Sequence, residues 1–180
     1  MPVVLSVMLS PSLLPFSFLL IKITSASQTV KINGCSASIN QEGYHCSLAY
    51  DGETETSKGW AMDAILPAWA IFTFEKKMTL KKIRLLSGMH RNNHRVTQFM
   101  LETKTDGVWT KVSGASVKED TSATVDDGMI SLTQNPQDIT VMFDQTDLTD
   151  ALRLTVAQAD LGAINNMVIT EVIVPGNEKT

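Results

Sequence analysis

Seven consecutive residues, Met89-His90-Arg91-Asn92-Asn93-His94-Arg95, gather two of the chain's three histidines with two arginines and two asparagines. The stretch follows the alternating run Lys82–Leu86 and precedes a second one, Gln98–Thr103, so it is predicted to be an exposed connection between two strands. Loops on a rigid scaffold carry binding more often than the elements they join. Arginine and asparagine present directed donors, and asparagine adds an acceptor, a combination that suits the vicinal hydroxyls of a sugar. His90, Arg91, Asn92 and Arg95 are therefore candidate ligand contacts. The competing reading is a plain solvated loop. His90 and His94 have the spacing of a zinc pair but lack a third ligand.

Other chemistry is thinner. Trp69 lies in an apolar run and Trp109 closes a hairpin signal, so both are expected in the core. Trp60 follows Gly59 and a polar loop; packing is its first reading, and a stacking face at the base of the ligand site its second. No Gly-x-Ser-x-Gly, His-Glu-x-x-His or phosphate-loop motif is present, so catalysis is not expected. Cys35 and Cys46, the only cysteines, are predicted to form one disulfide in an oxidising compartment, with two free thiols as the alternative. With His45 as the single nearby histidine, they do not complete a tetrahedral metal set.

The elements that must position these residues are short. Strands are predicted over Thr29–Ile32, Trp69–Phe74, Lys82–Leu86, Gln98–Thr103, Trp109–Val112, Met129–Leu132, Ile139–Phe143, Leu152–Ala157 and Val168–Val174. Asp51-Gly52, Ser87-Gly88, Asp106-Gly107, Asp127-Gly128, Asn135-Pro136 and Pro175-Gly176 punctuate them as turns. No stretch sustains a helical period, although Leu48–Ala49 and Ala61–Leu66 could each hold a turn of helix. This pattern predicts an all-β fold, an antiparallel β-sandwich or jelly roll.

Residues 1–27 combine an uncharged apolar run, Leu13–Ile21, with the small residues Thr24-Ser25-Ala26-Ser27, and read as a cleaved secretory signal. The alternatives are an uncleaved anchor or a misplaced start codon. Residues 28–180 then form a single domain, in a secreted, extracellular protein. The net charge of −4 and the lack of a Lys/Arg-rich run disfavour nucleic acid as a partner.

The order of features is more specific than any one of them. Leu48-Ala49-Tyr50-Asp51-Gly52 is followed by Trp60, Pro67-Ala68-Trp69, Ile83-Arg84-Leu85, Phe99-Met100-Leu101-Glu102, Asp106-Gly107-Val108-Trp109, Leu152-Arg153 and Glu171-Val172. This succession resembles the discoidin or coagulation-factor type C domain, within the galactose-binding-like jelly rolls. The chain departs from that pattern at Thr73, where an acidic residue is common, and in lacking bracketing terminal cysteines.

The resemblance implies a lectin-like domain that binds terminal sugars such as galactose or fucose on extracellular glycans or glycoproteins. It implies that His45, beside Tyr44 in an early loop, lies near the same end of the barrel as the His90–Arg95 stretch. It also implies a structural calcium ion held by Asp51, by Thr56 or Ser57, and by Glu171; Glu53 and Glu55 add local negative charge. The alternative function is adhesion to a protein or phospholipid surface, with Ala64-Ile65-Leu66-Pro67 as the tip and the membrane touched only peripherally. A third reading is a stand-alone hydrolase or a fragment of one, since this fold often accompanies catalytic domains. Homo-oligomerisation for avidity is compatible with each.

Overall fold

The computed structural model describes residues 31–54, 58–63, 65–88, 94–161 and 166–174. Its strands in chain order are β1 (Ile32–Ala37), β2 (Trp60–Asp63), β3 (Ala68–Met78), β4 (Lys82–Ser87), β5 (Arg95–Thr105), β6 (Val108–Lys111), β7 (Ser116–Val117), β8 (Thr124–Asp126), β9 (Met129–Ser131), β10 (Asp138–Met142), β11 (Thr149–Asp160) and β12 (Asn166–Ile173). A single 3-10 turn, Cys46–Ala49, lies between β1 and β2. Two antiparallel sheets result. The larger runs β1-β3-β11-β5-β9-β8 with β6 also on β5, and the smaller runs β2-β12-β4-β10-β7. The expected all-β jelly-roll sandwich is what forms.

Alternation explains which side of each strand is buried. Along β3, Ala68, Ala70, Phe72 and Phe74 point inward, while Trp69, Thr73 and Glu75 are exposed. On β4 the inward pair is Ile83 and Leu85. Phe72, Phe99, Leu101, Ile130 and Leu154 from one sheet meet Trp60, Ile83, Leu85, Ile139 and Val141 from the other in one core cluster. Each such side chain contributes roughly 1.5–3 kcal/mol of burial. The disulfide Cys35–Cys46 forms, with 6.1 Å between its Cα atoms, and ties β1 to the 3-10 turn.

Turn chemistry fixes two hairpins. Asp106 and Gly107 have φ of 50° and 87°, and Asp127 and Gly128 have 45° and 76°, the doubly left-handed geometry that Asp-Gly favours. Elsewhere the strands differ from expectation. Trp60–Asp63 is a strand, not a turn of helix, and β1 begins at Ile32, where the predicted strand Thr29–Ile32 was to end. β7 and β8 carried no run long enough to be read.

Two of the three tryptophans depart from their expected roles, and the third, Trp60, takes its first reading, packing, and loses its second as a ligand face. Trp60 is fully buried and donates from Nε1 to the Ile39 carbonyl at 2.9 Å, so no ring face is left for a ligand. Trp69 is 37% exposed on the outer face of the larger sheet. Trp109 is only half-buried and lies on that same outer face, against Arg153. Expecting Trp69 in the core fails because Trp-Ala-Ile-Phe is apolar in both phases and only the pleat decides which phase faces inward, whereas Trp109 lies on the short strand β6, whose residues are exposed or half-buried.

Candidate binding end of the sandwich

The ends of β2, β4 and β12 and the start of β5 meet at one end of the sandwich, where Asp63 pairs with Asn166 and Ile169 with Ser87. Residues 89–93, which include the candidates His90, Arg91 and Asn92, lie outside the described residues. The residues flanking that segment are firmly held. Ser87 Oγ accepts from the Val96 amide at 2.8 Å, and Gly88 donates its amide to the Val168 carbonyl at 2.9 Å. The Val168 amide in turn donates to the His94 carbonyl at 3.3 Å.

His94 adopts φ of 66°, a conformation uncommon outside glycine, and is 7% exposed. Its Nδ1 lies 2.7 Å from the Asn166 carbonyl. A carbonyl oxygen only accepts, so Nδ1 carries the proton and the ring works as a brace. Asn166 continues outward: its Nδ2 donates to Gln41 Oε1 at 2.7 Å. The Gln41 carbonyl accepts from the Tyr44 amide at 2.9 Å, and His45, the next residue, is exposed.

A second arm passes through Arg95, whose Nη1 donates to the Asn135 carbonyl. Asn135 Nδ2 reaches Asp160 Oδ2 at 3.3 Å, and Asp160 lies opposite Arg95 in register. The loop bearing Asn135 is organised by Asp120, which accepts from the Thr133 amide at 2.7 Å, the Gln134 amide at 2.8 Å and the Thr133 hydroxyl at 2.9 Å. Burial pushes the Asp120 carboxyl upward, but these bonds and one from Ser122 outweigh it and hold it below the usual carboxylate range. Two buried carboxamide oxygens, Asn135 Oδ1 and Asn166 Oδ1, find no hydrogen-bond partner among the described residues.

Thus the structure joins Arg95 to Asn135 and Asp160 and His94 to Asn166 and Gln41, five residues that sequence reasoning did not single out as ligand contacts, while His45 is exposed in the loop after Gln41. Trp60 belongs to the core instead.

The residues of the expected calcium site lie elsewhere. Glu171 is 6% exposed on β12, just past the bulge at Thr170, whose hydroxyl donates to the Leu86 carbonyl at 3.0 Å. It lines a groove of about 550 Å³ together with Gly52 and Thr54, which places it beside the Asp51–Gly52 loop. Asp51 itself is exposed, with Oδ1 accepting from the Glu53 amide at 2.8 Å. Thr56 lies outside the described residues. Among the described residues no three His, Cys, Asp or Glu side chains stand close enough to hold a metal. Calcium takes about six to eight oxygens, carbonyls included, which this carboxylate and loop could supply, while Lys82, Arg84 and Lys118 line the same groove and oppose it.

The sequence profile of the F5/8 type C domain matches residues 23–167. The chain belongs to this family. The match bears out the resemblance read from the motif order, and it starts within the residues read as a leader. No curated protein matches.

Solved structures share the architecture of this F5/8 type C domain. A pectin-binding carbohydrate-binding module superposes with a TM-score of 0.60 at 16% identity, over 81% of this chain and 91% of that one. The family 32 module of C. perfringens NanJ, solved with galactose, gives 0.61 at 18% identity over 78% and 91%. CBM32-3 from a family 31 glycoside hydrolase of Clostridium perfringens gives 0.60 at 20% identity over 82% and 91%. At these identities the likeness is one of fold.

Proposed function

We propose that this F5/8 type C domain is a secreted carbohydrate-binding module that recognises terminal sugars, of the galactose or fucose type, at the end of the sandwich that carries residues 89–93. One observation carries the reading. Two hydrogen-bonded arms, His94–Asn166–Gln41 and Arg95–Asn135–Asp160, flank the polar segment His90–Asn93. A rim of this kind presents acceptors and donors in fixed positions, which reduces the ordering cost of binding a polar ligand. The similar structures described as pectin-binding and as a galactose complex support the same ligand class. The domain binds and does not catalyse.

A calcium ion belongs to the proposal as a structural element. Glu171, Asp51 and the loop oxygens between them would hold it, and its charge would fix that loop. A glycan array probed with residues 28–180, with and without calcium, tests the reading. Retention of galactose- or fucose-terminated glycans is expected, and loss of that retention in Arg91→Ala or Arg95→Ala with the fold intact. An array with no bound glycan under either condition overturns it.

One observation favours the adhesion alternative. Ile65 is 64% exposed at a loop tip, while Leu66 packs against the core. A single exposed isoleucine is ordinary on a protein surface. Co-sedimentation with phosphatidylserine vesicles, compared between the wild type and Ile65→Ser, separates this reading from glycan binding.

A further inference from the structure

On the outer face of the larger sheet, away from the binding end, a groove of about 590 Å³ crosses the strands. Cross-strand register explains its shape. Gly34 faces Thr73, Thr73 faces Ala151, Ala151 faces Lys104 and Lys104 faces Trp109, so one row of side chains crosses β1, β3, β11, β5 and β6. Small residues in the middle of this row leave the depression, and the Trp109 indole forms a wall.

The indole is fixed in place. The Arg153 guanidinium lies 4.6 Å from its centroid, and Arg153 is itself held by two bonds of 2.6 Å to the carboxylate of Glu102. Such a cation–π pair restrains the ring before any ligand arrives.

The polar groups around the groove are those a neutral sugar needs. The single proton of the Thr73 hydroxyl is shared between Asn33 Oδ1 at 3.1 Å and the Gly34 carbonyl at 3.2 Å, and Asn33 Nδ2 makes no hydrogen bond among the described residues. The Asp150 carboxylate and the Ser36 hydroxyl also line the groove and make no side-chain hydrogen bond among the described residues. A carboxylate accepts from two adjacent hydroxyls, and Asn33 and Ser36 donate to ring or hydroxyl oxygens. Lys104, whose Nζ lies 5.8 Å from the Trp109 centroid, and Asp150 are the charged groups lining the groove and sum to zero, and Arg153 is paired with Glu102, so net charge does not select an ionic ligand.

We infer that this groove is a second carbohydrate site, which takes an internal pyranose of a neutral oligosaccharide with its apolar face on Trp109. The inference does not depend on the loop-end reading: the groove shares no residue with the rim of that site. A chain held at both places would gain avidity without a second domain.

The test uses residues 28–180 carrying Arg91→Ala and Arg95→Ala, which disables the loop-end contacts. This protein is titrated with galacto-, gluco-, manno- and xylotetraose while tryptophan fluorescence is recorded. Because Trp60 is buried, the response reports Trp69 and Trp109. At least one tetraose is expected to give a saturable change, weakened about tenfold or more by Trp109→Ala. Trp109→Phe should recover part of the affinity, and thermal melting confirms that both variants fold. No saturable change with any of the four, or a change untouched by Trp109→Ala and Asp150→Ala, overturns the inference. Wild-type binding of methyl β-galactoside, lost on Arg91→Ala, is read separately and judges the loop-end site alone.

Discussion

The imidazole of His94 lies 2.7 Å from the backbone carbonyl of Asn166, across 72 residues of chain. That bond joins the start of β5 to the start of β12 beside the proposed sugar site. Both residues are nearly buried, so water cannot replace the lost partner.

His94→Ala is expected to cost about 1–3 kcal/mol in stability by denaturant unfolding, through loss of this bond. The left-handed backbone adds strain for alanine, which asparagine tolerates better. His94→Asn should therefore lie between alanine and the wild type. Equal midpoints for all three proteins would show that the brace does not hold this end.

Asp120 makes stability depend on acid. Its folded pKa is depressed, so its contribution is complete above the unfolded carboxylate value of about 4 and is lost as pH falls through the folded value. Urea midpoints should decline for the wild type as the pH falls below about 4. Asp120→Asn should be less stable at neutral pH and show a shallower decline across that window. Because Asp120 also fixes the loop that receives Arg95, sugar affinity should fall with it.

Reduction of Cys35–Cys46 should lower stability by roughly 2–3 kcal/mol, the loop-closure value for a short loop, and loosen β1. Cys35→Ser with Cys46→Ser should reproduce it without reductant. A reductant-dependent melting temperature in wild type that vanishes in the double variant is the expected signature.

Strand alternation was legible wherever polar residues separate apolar ones, as at Ile83 and Leu85 or Phe99 and Leu101, because those residues face one core. The Asp-Gly hairpins were legible for a local reason, their tolerance of positive φ. Trp60-Ala61-Met62 was not, since all three are buried and no period survives. The rim was invisible for a different cause. Asn166 finds Gln41 over 125 residues and Asn135 finds Asp160 over 25, and neither contact leaves a pattern in the chain. Arg95 was legible as a polar loop residue, but its bond to the Asn135 backbone gives it a positioning role besides any contact with ligand.

The nearly buried carboxylate of Glu171 gives the calcium proposal its sharpest test. A buried anion is costly unless cations or donors compensate it; calcium would compete for Glu171 with Lys82, Arg84 and Lys118, which line the same groove as Gly52. Bound calcium stabilises by mass action, so at a hundredfold excess over its dissociation constant it adds about 2.7 kcal/mol. Addition of calcium to EDTA-treated protein should therefore raise the melting temperature by several degrees. Glu171→Gln keeps the shape but removes the charge, and should abolish the response while leaving a folded domain. The loop-end rim shares no residue with this groove, so sugar affinity should change less than the melting temperature does. A melting curve indifferent to both calcium and EDTA would remove the ion from this domain and leave Glu171 as a carboxylate held by protein groups alone.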